Sequence, residues 1–139
     1  MKVAAAAFDR VAAGYDAAWT NTAAGRAQRD LVWSNVDPIL QGSIVDIGCG
    51  TGEDAAHFAA LGIRVHAIDA SPEMVRQASR RGGFTVEVGR AEDLTGEYDG
   101  AISNFGALNC IEDLGAVARR VALAVRPGGY VAICTIGRF

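Results

Sequence analysis

The chain is short of the features that would place it outside the ordinary globular classes. It has three cysteines, Cys49, Cys110 and Cys134, an odd number at wide spacing with no CxxC. That argues against a disulfide framework, and reduced, mostly buried thiols are expected. Its two histidines, His57 and His66, lie far from any cysteine pair, so a zinc site lacks ligands and no metal is expected. No apolar run approaches the roughly 18 residues needed to cross a bilayer. The alanine stretch after Met1-Lys2 is cut by Asp9 and Arg10, too early for a secretory signal, so a cytoplasmic location is expected. There is no basic excess: 13 Lys and Arg stand against 16 Asp and Glu, a net charge of −3. Arg80–Arg81 and Arg119–Arg120 are only short pairs on predicted helices. No nucleic-acid partner is expected.

What remains is a globular composition. Of 139 residues, 50% are hydrophobic and 21% charged, which fits one domain around one core. No internal repeat or low-complexity linker divides it.

The first 40 residues read as helical. Phe8, Val11, Ala12, Tyr15 and Trp19 recur at helical spacing, with Gly14 as a point of breakage. A second helix covers about 23–36, limited by Pro38. The pattern then changes. Ser43–Ile47 is a short apolar run ending in glycines, a buried strand. Residues 53–61 read as a helix stopped by Gly62. Arg64–Asp69 is the second strand. Ser71-Pro72-Glu73 starts a helix with a serine cap, a proline at the first position and an acid at the positive end. That helix runs to about Arg81, before Gly82-Gly83. Residues 84–88 and 98–104 are the third and fourth strands. Ile111, Leu114, Val117, Val121 and Val125 mark an amphipathic helix ended by Pro127-Gly128-Gly129, and residues 130–136 form the fifth strand. Strands alternating with helices predict an α/β fold, a Rossmann-like doubly wound and mostly parallel sheet. Ligands bind such sheets at the strand C-termini, where the strand order reverses.

The densest signal falls at that edge: Asp46-Ile47-Gly48-Cys49-Gly50-Thr51-Gly52. Glycine serves where the backbone takes positive φ or a ligand needs close approach. A dinucleotide site would show GxGxxG with a pyrophosphate at the helix start. Here the spacing is GxGxG, and Glu53-Asp54 open the helix, carboxylates that would repel a pyrophosphate. S-adenosylmethionine, an adenosine with a sulfonium and an amino-acid tail but no phosphate, avoids that conflict. A nucleotide-dependent oxidoreductase is correspondingly disfavoured. Asp69 ends the second strand, where a carboxylate can accept from both ribose hydroxyls. It can equally cap the turn into the Ser71-Pro72 helix, and the two roles are compatible.

VDIGCGTG followed by AIDAS resembles the first two motifs of the class I S-adenosylmethionine-dependent methyltransferases. GRAEDL, YDGAISNFGALN and VRPGGYVAI agree in the expected order, and FDRVAAGYDAAW resembles the opening of small-molecule methyltransferases, including those of quinone biosynthesis. The resemblance implies S-adenosyl-L-methionine as cofactor and a small-molecule acceptor. It divides the chain into a helical lid, 1–40, and a Rossmann-like core, 41–139. It implies that Asp46, Gly48, Cys49, Gly50, Thr51 and Gly52 run beneath the methionine part. Asp69 holds the ribose, and Ala70 touches the ribose or adenine. Arg90, Ala91 and Glu92 flank the adenine. Many relatives carry an Asp where Arg90 stands; arginine cannot accept a hydrogen bond, so Glu92 or Asp93 takes that part. Asn104 and Phe105 line the sulfonium region, and Tyr15 folds over as part of the lid. Arg26 or Arg29 can pair with the cofactor carboxylate, although a solvated helix face is the simpler reading of both.

Methyl transfer is an in-line displacement that needs positioning first and a base only when the acceptor must lose a proton. No catalytic base stands out: His57 reads as a packing or surface residue and His66 as structural. The fourth-strand motif is NFGA rather than Asn-Pro-Pro-aromatic, which disfavours a DNA base as acceptor. Family members usually continue beyond the fifth strand, so the core is expected to be truncated there. The alternatives are a longer enzyme, or a catalytically silent binding subunit whose bare fifth-strand edge is covered by a second copy or a partner.

Overall fold

The computed structural model describes residues 2–137. Its sheet has five parallel strands: β1 (Ser43–Ile47), β2 (Arg64–Asp69), β3 (Thr85–Val88), β4 (Tyr98–Ser103) and β5 (Val125–Ile133). Their spatial order is β3-β2-β1-β4-β5. The chain steps outward from β1 to β3, then returns to the other side of β1. The order therefore reverses between β1 and β4, and the crevice at their C-terminal ends is where such sheets bind ligands.

Helices cover both faces. On one lie α2 (Ala23–Val36), α3 (Glu53–Ala60) and α4 (Pro72–Ser79); on the other lies α5 (Leu114–Ala124). β1 shows why both faces need cover. Side chains alternate along a strand, so Ile44 joins Val36, Leu40, Phe58 and Ile102 on the α2–α3 face. Val45 and Ile47 join Ile68, Ala101 and Val117 on the α5 face. The core is thus two apolar layers with β1 buried between them.

The start of α4 is capped as the sequence predicts. Ser71 Oγ accepts from Met74 N at 3.1 Å with Pro72 behind it, and Thr22 and Asp113 cap α2 and α5 in the same way. Each cap satisfies a backbone donor that the first helical turn leaves open.

Two expectations are corrected. The helical run over Phe8–Trp19, expected with a break at Gly14, is three pieces: α1 (Lys2–Val11), a 3₁₀ turn (Ala12–Gly14) and a π-helical turn (Asp16–Thr20), so a further break falls after Val11. The breaks turn Tyr15 and Asp16 toward the sheet edge. The fifth strand begins at Val125, not at 130, and ends at Ile133, not at 136. The helical spacing includes Val125, but the chain becomes extended there (φ −93°, ψ 128°). Its β-branched side chain and the Arg126-Pro127 step both favour extended backbone. Pro127-Gly128-Gly129 does not separate helix from strand. It is an irregularity inside β5, between the register pairs Tyr98–Val125 and Gly100–Tyr130.

Of the three free cysteines, Cys49 alone is buried; Cys134 is half-buried and Cys110 exposed. Mostly buried thiols were expected, but Cys110 ends an exposed turn (Ala107–Cys110).

Candidate cofactor site

The turn from β1 into α3 is held open by glycine. Gly48, Gly50 and Gly52 all have positive φ (72°, 55° and 82°). A Cβ on Gly48 would lie 2.4 Å from the Ala107 methyl, and one on Gly52 would lie 2.9 Å from both Ala78 and Phe84. Gly48 therefore keeps the loop close to the β4 side, and Gly52 lets α3 pack on α4.

The loop is anchored from the end of β2. Asp69 Oδ2 accepts from Gly50 N at 2.8 Å, and Oδ1 accepts from Ser71 N at 2.9 Å. The capping role is therefore present. Each oxygen keeps acceptor capacity, and Asp69 lines a cavity at the C-terminal ends of β1, β2 and β4. Burial raises its pKa, opposed by those two backbone bonds, with the Asp9 charge adding to the rise.

The structure brings most of the expected residues to that cavity. Gly48, Cys49, Gly50, Thr51, Asp69, Ala70, Arg90, Ala91, Glu92, Asn104, Phe105 and Tyr15 all line it. Asp46 and Gly52 do not. Asp46 is fully buried on the α2–α3 side of β1, and its Oδ2 has no hydrogen-bond partner among the described residues. Burial raises its pKa well above the usual range, the Asp54 and Asp69 charges add to the rise, and Arg29 opposes it. Burial likewise pushes the Cys49 thiol upward, with Asp46 and Asp69 adding to it.

After β3, Arg90 turns outward and pairs with Glu92 Oε1 at 3.2 Å and with Asp93 at 3.8 Å. Asp93 is 70% exposed, whereas Glu92 is 10% exposed and its Oε2 is buried without a partner. Of the two acids, Glu92 is the one that offers a free acceptor within the cavity wall. After β4, Asn104 Oδ1 accepts from the Phe105 backbone N at 2.9 Å, and Phe105 takes a left-handed φ of 51°.

Sequence reasoning underrated Arg29 and Asp54. Arg29 is 6% exposed rather than solvated, lines the cavity, and lies 4.7 Å from the centre of the Phe105 ring. Asp54, read as a helix-start acid that repels a pyrophosphate, accepts from Trp33 Nε1 at 2.8 Å and from Asn104 Nδ2 at 3.3 Å. The alternation of apolar and charged residues on α2 could have flagged Arg29. No local signal marks Asp54, whose partner Asn104 is 50 residues away.

The acidic helix start is also less negative than it reads. Glu53 is paired with Arg26 and Arg81, each at 2.7 Å. Arg26 is therefore engaged by Glu53 rather than by solvent alone. The N-terminal strap closes over this cluster. Asp16 accepts from Thr51 Oγ1 at 2.6 Å and from Arg81 Nη2 at 2.7 Å. Asp9 accepts from Ser71 Oγ at 2.5 Å. Tyr15, its pKa raised by burial, and Phe8 of α1 complete the wall.

Neither histidine reaches the cavity. His57 stacks on Trp33 at 3.7 Å and bonds Asp37, while His66 bonds Thr85 and Glu87. Among the described residues no cluster of His, Cys, Asp or Glu suits a metal ion, and no helix is long and apolar enough to cross a membrane.

Residues 44–129 match the family described as a methyltransferase domain. Over 139 aligned residues the chain is 30% identical to a malonyl-[acyl-carrier protein] O-methyltransferase of Pseudescherichia vulneris, covering 97% of this chain and 54% of that protein. It is 36% identical over 106 residues to a ubiquinone biosynthesis O-methyltransferase of Xanthomonas axonopodis pv. citri (strain 306), covering 68% of this chain and 43% of that one. The chain thus spans about half the length of the curated relatives it matches. Among solved structures, the DhpI–SAM–HEP complex superposes with a TM-score of 0.78 at 25% identity, over 91% of this chain and 61% of that one. A phosphoethanolamine N-methyltransferase 2 of Haemonchus contortus, solved with S-adenosyl-L-methionine, gives 0.78 at 27% identity, over 90% and 32%. The strand order, the glycine turn tied to the acid ending β2 and these likenesses agree: the chain belongs to the class I methyltransferases, whose cofactor is S-adenosylmethionine.

Proposed function

We propose that this chain is the cofactor-binding core of an enzyme that methylates a small molecule. The observation that carries the reading is Asp69, a half-buried carboxylate that fixes the glycine turn through Gly50 and still faces the cavity with spare acceptor capacity. The rest of the wall fits the same ligand. Glu92 Oε2 is a buried, unpartnered acceptor suited to an adenine amino group, flanked by Arg90 and Ala91. Arg29 has unpartnered Nε and Nη1 donors suited to the amino-acid carboxylate. Asn104 and Phe105 back the sulfonium end, and Tyr15, with residues 1–40 as a lid, excludes water.

When bound, the cofactor supplies a methyl group made electrophilic by its sulfonium. The protein's part is to hold the ligand and to keep the cavity dry while an acceptor approaches. With no imidazole at the wall, proton removal falls to a carboxylate, to the acceptor itself or to a part of the enzyme outside this core. The names of the curated relatives favour a small-molecule or carrier-linked acceptor methylated on oxygen. The exposed Cys110 thiol suits a reducing, cytoplasmic compartment.

Isothermal titration with S-adenosylmethionine tests the reading. The wild-type chain is expected to bind, and Asp69→Ala to lose at least about tenfold in affinity, since it removes a charged acceptor and the loop tether together. Unchanged binding by Asp69→Ala would defeat the assignment.

A further inference from the structure

His57 takes no part in the cavity wall, yet it is fixed from three sides. Its ring lies parallel to Trp33, with centroids 3.7 Å apart and planes within 3°. Nε2 lies 2.8 Å from Asp37 Oδ1, at the end of α2. An ionised carboxylate only accepts, so Nε2 carries the proton. The Phe58 ring meets the imidazole edge at 5.1 Å. Trp33 carries this order inward. Its Nε1 donates to Asp54 Oδ1 at 2.8 Å, whereas both bonds from Asn104 to that carboxylate are 3.3 Å long. Asp54 is 5% exposed and lines the cavity. A single hydrogen bond fixes one point of the indole but not its plane. The stacked imidazole fixes the plane, and Asp37 fixes the imidazole.

A neutral imidazole supplies the stack alone. A protonated one adds a cation over the indole face and a charge opposite Asp37. Histidine is the side chain that ordinarily changes charge between about pH 5 and 8. The charged groups around the ring leave Asp37 as its ion-pair partner among the described residues. From α2, Arg26 lies over the same indole at 5.7 Å, but it is paired with Glu53 at 2.7 Å. On α3 itself, Glu53 and Asp54 stand one turn earlier, and β2 behind that helix meets it through Val65 and Ala67. We propose that His57 is a positioning residue. Paired with Asp37, it fixes the plane of Trp33 and through it the carboxylate of Asp54, and its protonation tightens that hold. The proposal deepens the cofactor reading above and rests on it for the ligand, since Asp54 belongs to the wall of the cavity assigned to the cofactor.

Two measurements on the whole chain test it. The first is solvent exchange of the indole N–H groups by NMR near neutral pH, with Trp33→Phe identifying the Trp33 signal. His57→Ala is expected to speed exchange at Trp33 about fivefold, the contribution of one aromatic stack, and to leave Trp19 unchanged. His57→Gln, which keeps a donor for Asp37 but lacks the ring, serves in its place if the alanine variant does not fold. His57→Phe restores a flat ring and is expected to restore most of the protection. The second is affinity for S-adenosylhomocysteine by calorimetry, from about pH 8 to about pH 5.5. The ratio of wild-type to His57→Phe affinity is expected to rise about two- to fivefold toward the acid end, the contribution of one cation–π contact. Carboxylates that titrate in both proteins cancel from that ratio. Unchanged exchange at Trp33 in the variants that lack the ring overturns the positioning role. A flat ratio, with exchange altered, overturns the proton-linked tightening. If the wild type fails to bind S-adenosylhomocysteine at any pH, the cofactor reading falls, and the exchange rates still decide whether His57 positions Trp33.

Discussion

Asp46 shows how a single residue can cost stability where it stands. Its carboxyl is buried, lacks a partner on Oδ2 and shares its surroundings with Asp54 and Asp69. Its pKa is therefore higher in the fold than in the unfolded chain. The folded state holds that proton more tightly, so the stabilising contribution is complete below the unfolded value of about 4 and is lost as pH rises through the folded one. Asp46→Asn cannot ionise. It is expected to match wild type near pH 4 and to melt a few degrees higher by pH 8, in thermal scans across that range. Parallel curves for the two proteins would refute the argument. The sequence marked this position through its motif and placed it in a buried strand, but did not mark its isolation from the cavity. Arg29 is the reverse case. Its neighbours on α2 gave an amphipathic helix, yet the Phe105 ring that covers it comes from the far end of β4.

At the scale of elements, the legible parts were those whose determinants are local. The Gly48–Gly52 turn, the Ser71-Pro72 cap and the apolar run of β1 each lie within a few residues, and each appears where expected. The N-terminal segment resisted because its shape is set by remote partners. Asp16 answers to Thr51 and Arg81, 35 and 65 residues away, and a π-helical turn places it there. β5 resisted for another reason: a Pro-Gly-Gly sequence reads as a boundary, and only its pairing with β4 reveals a strand running through it. The strap makes a kinetic prediction. The Asp16–Arg81 pair is about a third exposed, a setting where ion pairs contribute roughly 0.2–1 kcal/mol. Asp16→Asn is accordingly expected to speed cofactor dissociation about 1.4- to fivefold in stopped-flow chase experiments, with added salt moving the wild type toward the variant. An unchanged rate would mean that the strap does not control release.

At the scale of the molecule, the two sides of the sheet are unequal. β3 is a four-residue edge, and short edges resist unwanted pairing. β5 has nine residues and exposes Tyr130, Val131 and Ile133, with Leu114 and Leu123 of α5 nearby in sequence and also exposed. A long apolar edge of this kind recruits further strands. The chain is expected to self-associate with rising concentration in light scattering, and Val131→Lys/Ile133→Lys to hold it monomeric. A wild type that stays monomeric at high concentration would show that β5 needs no cover.

The cavity wall draws no residue from beyond Ile111. On the proposed reading, the residues that grip the methyl donor all precede β5, and the segment past β5 reaches the wall through the bond from Gly106 N to Cys134 O at 2.9 Å. A separation of that kind lets one half of a catalyst be inherited unchanged while the other half is exchanged, so that a change of acceptor need not disturb the donor's berth.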